Sequence, residues 1–266
     1  MFLLTKIKNN IIFKKVLFNL EVNMLVIENL HVEVEGKEVL HGINMSILKG
    51  ETHVIFGKNG SGKTTLLLTL MGFEKYKVTQ GKIYFKGKDI TNVPMYERAR
   101  MGMGMAFQRP PAIKGLKTKD ILKKIKNVDF SVEDIAKKAN FENFLDRDLN
   151  WGFSGGELKR SEMAQLLAQN PDFIMLDEPE SGVDVENIKL IGKIAAILLE
   201  KHKRLKEGRN KSGLIITHTG LILDYIDADK GHVLLDGYLV CTGNPREMFK
   251  LIQEEGYERC IKCMMN

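Results

Sequence analysis

The segment Gly57-Lys58-Asn59-Gly60-Ser61-Gly62-Lys63-Thr64 constrains this chain more than any other. It fits G-x-x-x-x-G-K-[ST] and stands between a short apolar run, Glu51 to Phe56, and a Leu-rich stretch without breakers, Lys63 to Met71. Apolar strand, glycine loop, helix is the context this pattern needs. Glycines at 57, 60 and 62 let the backbone wrap an anion without a clashing Cβ. The loop amides then converge on that anion at a helix N-terminus, where the dipole favours negative charge. Lys63 reaches the terminal phosphates, and the Thr64 hydroxyl, followed by Thr65, is a ligand for Mg²⁺. A chain built around such a loop is expected to be α/β.

Composition narrows the class. The chain has 266 residues and is 44% apolar, enough for a buried core. Its net charge is only +6, and Lys6, Lys8, Lys14 and Lys15 of the N-terminal stretch supply much of the excess. No concentrated basic patch remains, which argues against nucleic acid as a partner. Three cysteines make no disulfide framework, so a cytoplasmic location is expected. No apolar run approaches the ~20 residues of a membrane span. Residues 1–23 read as an N-terminal extension that adds little to the fold, set apart from a domain over 24–266 that begins at Met24. The rival reading of the extension is a basic amphipathic helix lying on a partner or membrane surface.

From Met24 the pattern gives a hairpin turning at Gly36-Lys37, the strand before Gly57, the helix Lys63 to Met71, and a second hairpin over Gly81 to Ile90. Residues 117–149, within a span of about 109–170, change character. They are Lys-rich and helical, with a capping box at Ser131 to Asp134, and read as a helical subdomain hung on the core. The chain then returns to strand Phe173 to Leu176, a helix from about Val185, strand Leu214 to Thr217 and a late hairpin, Gly231 to Thr242. Strands alternating with helices of this length predict a mostly parallel sheet, with an antiparallel β subdomain from the hairpins.

Two further elements carry chemistry. Strand Phe173 to Leu176 delivers Asp177 and Glu178 at its carboxyl end, where ligands sit in open α/β sheets. Asp177 is assigned to Mg²⁺, and Glu178 to orienting or deprotonating an attacking water. Phe153-Ser154-Gly155-Gly156-Glu157 opens a helix and makes a second anion site. One nucleotide cannot occupy both anion sites from a single chain if they lie on separate subdomains. A head-to-tail pair resolves this, with Ser154, Gly155 and Gly156 of one chain capping the phosphate held by Lys63 of the other.

In order, GKNGSGKTT, FSGGE, FIMLDEPESGVD and ITH resemble the motifs of the ATP-binding cassette ATPases, over Met24 to roughly the C-terminus. The resemblance implies ATP and Mg²⁺ as cofactors and a transient homodimer on ATP binding. It implies that Gln108 is the Q-loop residue linking Mg²⁺ to the helical insertion. It also makes Ser181 to Asp184 the loop between protomers, with Asp184 near the nucleotide, and His218 the switch histidine at the γ-phosphate. Within that family, GFSGGELKRSEMAQLLAQNP, MAFQRPPAIKG and Gly256-Tyr257 resemble the SufC ATPases of iron–sulfur cluster assembly. Those work with SufB/SufD-like scaffold proteins; the alternative is the ATP-binding subunit of a membrane transporter. Two features depart from the SufC pattern: a short insertion between Gln108 and Ser154, and Pro179. Val34 stands where many cassettes stack an aromatic ring on adenine, so GTP is expected to be tolerated. Cys260 and Cys263 form a lone C-x-x-C, read as part of a terminal tail.

Overall fold

The computed structural model describes residues 23–203 and 208–257. The expected extension lies outside them except for Asn23, as does the Cys260–Cys263 pair. β1 (Asn23–Val34) and β2 (Lys37–Leu48) form the first hairpin, antiparallel around Glu35-Gly36, and both turn residues have positive φ. β3 (Thr52–Phe56) runs into the glycine loop and α1 (Lys63–Met71) follows it. β4 (Tyr76–Phe85) and the short β5 (Lys88–Asp89) complete a four-stranded antiparallel sheet in the order β2-β1-β4-β5. β4 begins before the expected Gly81 because Tyr76 to Gln80 pair with His31 to Val34 of β1. That partner is remote in sequence, and local periodicity does not reveal it.

α2 (Met95–Arg100) leads to β6 (Met103–Ala106), a strand that the Met- and Gly-rich sequence concealed. Between β6 and the return to the core lie β7 (Ile113–Lys117), α3 (Thr118–Ile125), α4 (Val132–Lys138) and β8 (Asp148–Leu149). β7 and β8 pair as a two-stranded ribbon, and Ser131 caps α4 through the expected box with Asp134. α5 (Gly155–Gln169), β9 (Phe173–Asp177), α6 (Val185–Leu198), β10 (Ser212–Ile216), β11 (Lys230–Leu235), β12 (Tyr238–Gly243) and α7 (Pro245–Glu255) finish the described chain.

The second sheet has six strands in the order β12-β11-β3-β10-β9-β6, all parallel except β12. Its strands read as continuous apolar runs because both faces are covered. Alternate residues serve two separate cores. Ile55, Phe173, Met175, Leu214 and Ile216 pack toward the antiparallel sheet and Leu66, Leu67 and Leu70 of α1. Val54, Phe56, Ile174, Leu176 and Ile215 pack on the other face with α5, α6 and α4. Gln108, Glu178, His218 and the glycine loop follow the carboxyl ends of β6, β9, β10 and β3, four neighbouring parallel strands. Adjacent strand ends are what bring residues from four distant stretches of sequence together.

Candidate active site

The loop after β3 closes on itself through glycine. Gly62, the N-cap of α1, sits at φ 100°, a conformation that strains other residues. A Cβ on Gly57 would stand 2.2 Å from the Leu234 carbonyl oxygen, so only glycine lets this loop pass β11. Lys63 is 5% exposed, and its Nζ donates to the carbonyl oxygens of Gly57 and Lys58, both at 2.8 Å. Burial lowers its pKa, opposed by the charges of Glu178 and Asp177. Asn59, Gly60, Lys63, Thr64 and Thr65 line a cleft of about 750 Å³, which Gln108, Glu178 and His218 close from the other side. Val39, rather than Val34, forms part of its wall.

Asp177 is 2% exposed and meets the Thr64 hydroxyl, while its Oδ1 has no partner. Burial raises its pKa, more than the Thr64 bond and the nearby lysines lower it. Glu178 leaves the sheet in a left-handed turn, φ 48°, fixed by its N–H donating to Ile216 O at 3.1 Å. That turn aims its carboxylate into the cleft. Oε2 accepts from Gln108 Nε2 at 2.6 Å, and Oε1 lies 2.7 Å from His218 Nε2, without the alignment of a hydrogen bond. The single chain therefore gathers Lys63, Thr64, Asp177, Glu178, Gln108 and His218 at one place. This arrangement is suited to binding a polyphosphate and activating water beside it.

Ser154, Gly155 and Gly156 are not in this cleft. Ser154 and Gly155 are exposed, and the Ser154 hydroxyl accepts from Glu157 N while Glu157 accepts from Ser154 N at 2.9 Å. A Cβ on Gly155 would meet Gly182 O at 2.4 Å, and one on Gly156 the Asn187 amide at 2.7 Å. These glycines thus pack the start of α5 against the segment before α6 and the first turn of α6 itself. Asp184 caps α6, accepting from Asn187 N at 2.8 Å, and its carboxylate also meets the Asn187 side chain. Ser181 does line the cleft.

Beside this site, sequence reasoning passed over Lys159, Glu162 and Glu180, all buried. Lys159 and Glu162 of α5 bracket Phe107, the residue before Gln108. Glu162 accepts from its N–H, while Lys159 Nζ donates to its carbonyl at 2.9 Å and to that of Gln108 at 3.2 Å. Burial pushes Glu162 up to about 7 and lowers Lys159. The signal was present: both lie on the stripe of Met163 and Leu166, where a charge is out of place. The third, Glu180, accepts from Thr217 and Thr219 on either side of His218.

The ABC transporter family matches residues 40–181, from β2 through the loop of Ser181. A probable ABC transporter ATP-binding protein of Streptococcus pyogenes is 37% identical, covering 88% of this chain and 94% of that protein. The probable ATP-dependent transporter SufC of Escherichia coli is 38% identical over 88% of this chain and 97% of its own length. The iron-sulfur cluster assembly protein SufC of Plasmodium berghei is 35% identical over 96% of this chain and 72% of its own. No helix among the described residues is long and apolar enough to cross a membrane. A glycine loop with buried Lys63, paired carboxylates at the end of β9 and these relatives lead to one assignment: the chain is an ATP-hydrolysing cassette that belongs to the SufC family of ABC-type ATPases.

Proposed function

We propose that this ATPase works as a head-to-tail pair closing on two ATP molecules, and that closure drives a conformational change in a SufB/SufD-like scaffold for iron–sulfur cluster assembly. The observation that carries the catalytic part is the convergence of Gln108 and His218 on Glu178 beside Lys63. In the proposed roles, the amides of Gly60, Ser61 and Gly62, with Lys58 and Asn59 beside them, cradle the phosphates, and Lys63 exchanges its carbonyl bonds for phosphate oxygens. Glu178 takes the proton of the attacking water, and His218 contacts the γ-phosphate.

Mg²⁺ fits the donors present. Thr64 and Asp177 offer oxygen, the ligand a hard cation takes, and Asp177 Oδ1 is buried without a partner. Gln108 would complete the set. The ion supplies neutralisation of the charge on the transferred phosphoryl group.

The scaffold reading is supported by the relatives and by a groove of about 660 Å³ whose walls include Phe107, Glu162 and Met101. Through the Lys159–Glu162 bracket, a partner in this groove would move the Gln108 loop directly. Differential affinity for the open and closed pair is what lets ATP do work on such a partner. The proposed site of action is the cytoplasm. Isolation of the chain from its native cell with its bound proteins tests the reading. A SufB/SufD-like protein that raises ATP turnover is expected. An integral membrane protein in its place would favour the second reading, a transporter subunit, for which the Streptococcus relative's name speaks.

A further inference from the structure

We propose that Glu180 is a positioning residue that holds the switch histidine to its task through Thr217 and Thr219. It rests on the family's ATPase reaction and is independent of the partner. Glu180 Oε1 accepts from the hydroxyl of Thr217 and from that of Thr219 at 3.1 Å. Thr217 Oγ1 in turn accepts from Gly220 N at 2.9 Å, tying the turn that ends the segment. His218 lies between the two threonines and reaches the other way, 2.7 Å from Glu178. Two carboxylates of one loop, two residues apart, thus meet three consecutive residues of the next. Glu178 takes His218, and Glu180 takes the residues on both sides of it.

The energetics argue that this is a purpose-built contact. Glu180 is 5% exposed and its Oε2 has no hydrogen-bond partner. A carboxylate there costs free energy that an apolar side chain of similar size would not. Burial raises its pKa, opposed by the threonine bonds, as expected of a carboxyl buried for a structural end. What the cost secures is the orientation of a histidine on a loop that no regular element holds. A misplacement of about 1 Å is enough to cost ~10²-fold in rate at such a site.

Steady-state ATP turnover of the full chain tests the proposal. Glu180→Ala is expected to lower kcat ~10-fold or more while KM for ATP stays within about two-fold, because phosphate binding does not pass through this contact. Glu180→Gln, which keeps the accepting oxygen, restores most of the rate. In a His218→Ala background, Glu180→Ala adds less than about two-fold, since both changes disable one function. Thr219→Val, at an exposed position, gives a smaller loss of the same kind and replaces Glu180→Ala if that variant does not fold. An unchanged kcat in these folded variants, or fully additive losses with His218→Ala, overturns the proposal. Imidazole NMR signals of His218 decide it without turnover: a changed or broadened signal in Glu180→Ala supports it, and an unchanged one refutes it. An inactive wild type would instead count against hydrolysis itself.

Discussion

The two glycine motifs of this chain stand in opposite surroundings. At the loop of Lys63, glycine is demanded by the backbone, the lysine is buried, and four strand ends deliver the carboxylates and histidine around it. At Ser154 the same residue types start a helix on the exterior, its hydroxyl spent on its own cap and its glycines spent on packing. In the proposed pair, the first half-site is supplied by the loop of Lys63 and the strand ends beside it, and the exposed start of α5 is offered to another chain. A motif's chemistry is therefore set by what the fold places across from it.

The largest expected effect sharpens the first half. Glu178→Gln keeps the shape and removes the base, and should lower kcat ~10²- to 10⁴-fold. ATP binding is retained and an ATP-bound pair accumulates, seen by size exclusion with radiolabelled nucleotide. Ser154→Arg probes the other half. Ser154 is exposed, so the lost cap costs only ~1 kcal/mol. Turnover should nevertheless fall ~10²-fold, with ATP affinity of the single chain within about three-fold. Equal loss of affinity would break the contrast between the halves. Lys63→Ala should weaken ATP binding itself ~10- to 10²-fold, as removal of a buried charged donor does, measured by calorimetry.

The smallest effect concerns the link between the halves. Glu162 titrates at about 7 in the folded chain, against 4.5 ordinarily. Between those values the folded chain holds a proton that the unfolded chain has released. This contribution to stability therefore falls as pH rises from about 4.5 to 7. Glu162→Gln should flatten that part of the urea-unfolding profile, by on the order of 3 kcal/mol at most. The buried His232, pushed down to about 3 by burial beside His53, acts with the opposite sign. Its contribution is present above about 6.5 and is lost as pH falls toward 3.

Much of this was legible in the sequence, because the glycine loop and the Asp177-Glu178 strand each announce themselves locally. α1 matches its expected bounds, and β9 and the late hairpin differ by only a residue or so at their ends. What the sequence hid was set by distant partners. β6 is defined by pairing with β9, and the first half of β4 by pairing with β1. The bracket of Phe107 joins residues more than fifty positions apart, so only the misplaced charges of Lys159 and Glu162 hinted at it. Glu180 looked like one more polar residue after the acidic pair, and its role depends on the neighbouring strand β10.

The claim that a working site takes Lys63 from one chain and Ser154 from another is tested most directly by mixing two dead variants, Lys63→Ala and Ser154→Arg. A mixed pair holds one site with both halves intact and one with neither. Equal amounts of the two chains should regain about a quarter of wild-type ATP turnover, since half of the pairs are mixed and each has one good site. A mixture as inactive as its components, with the wild type active under the same conditions, would contradict the account.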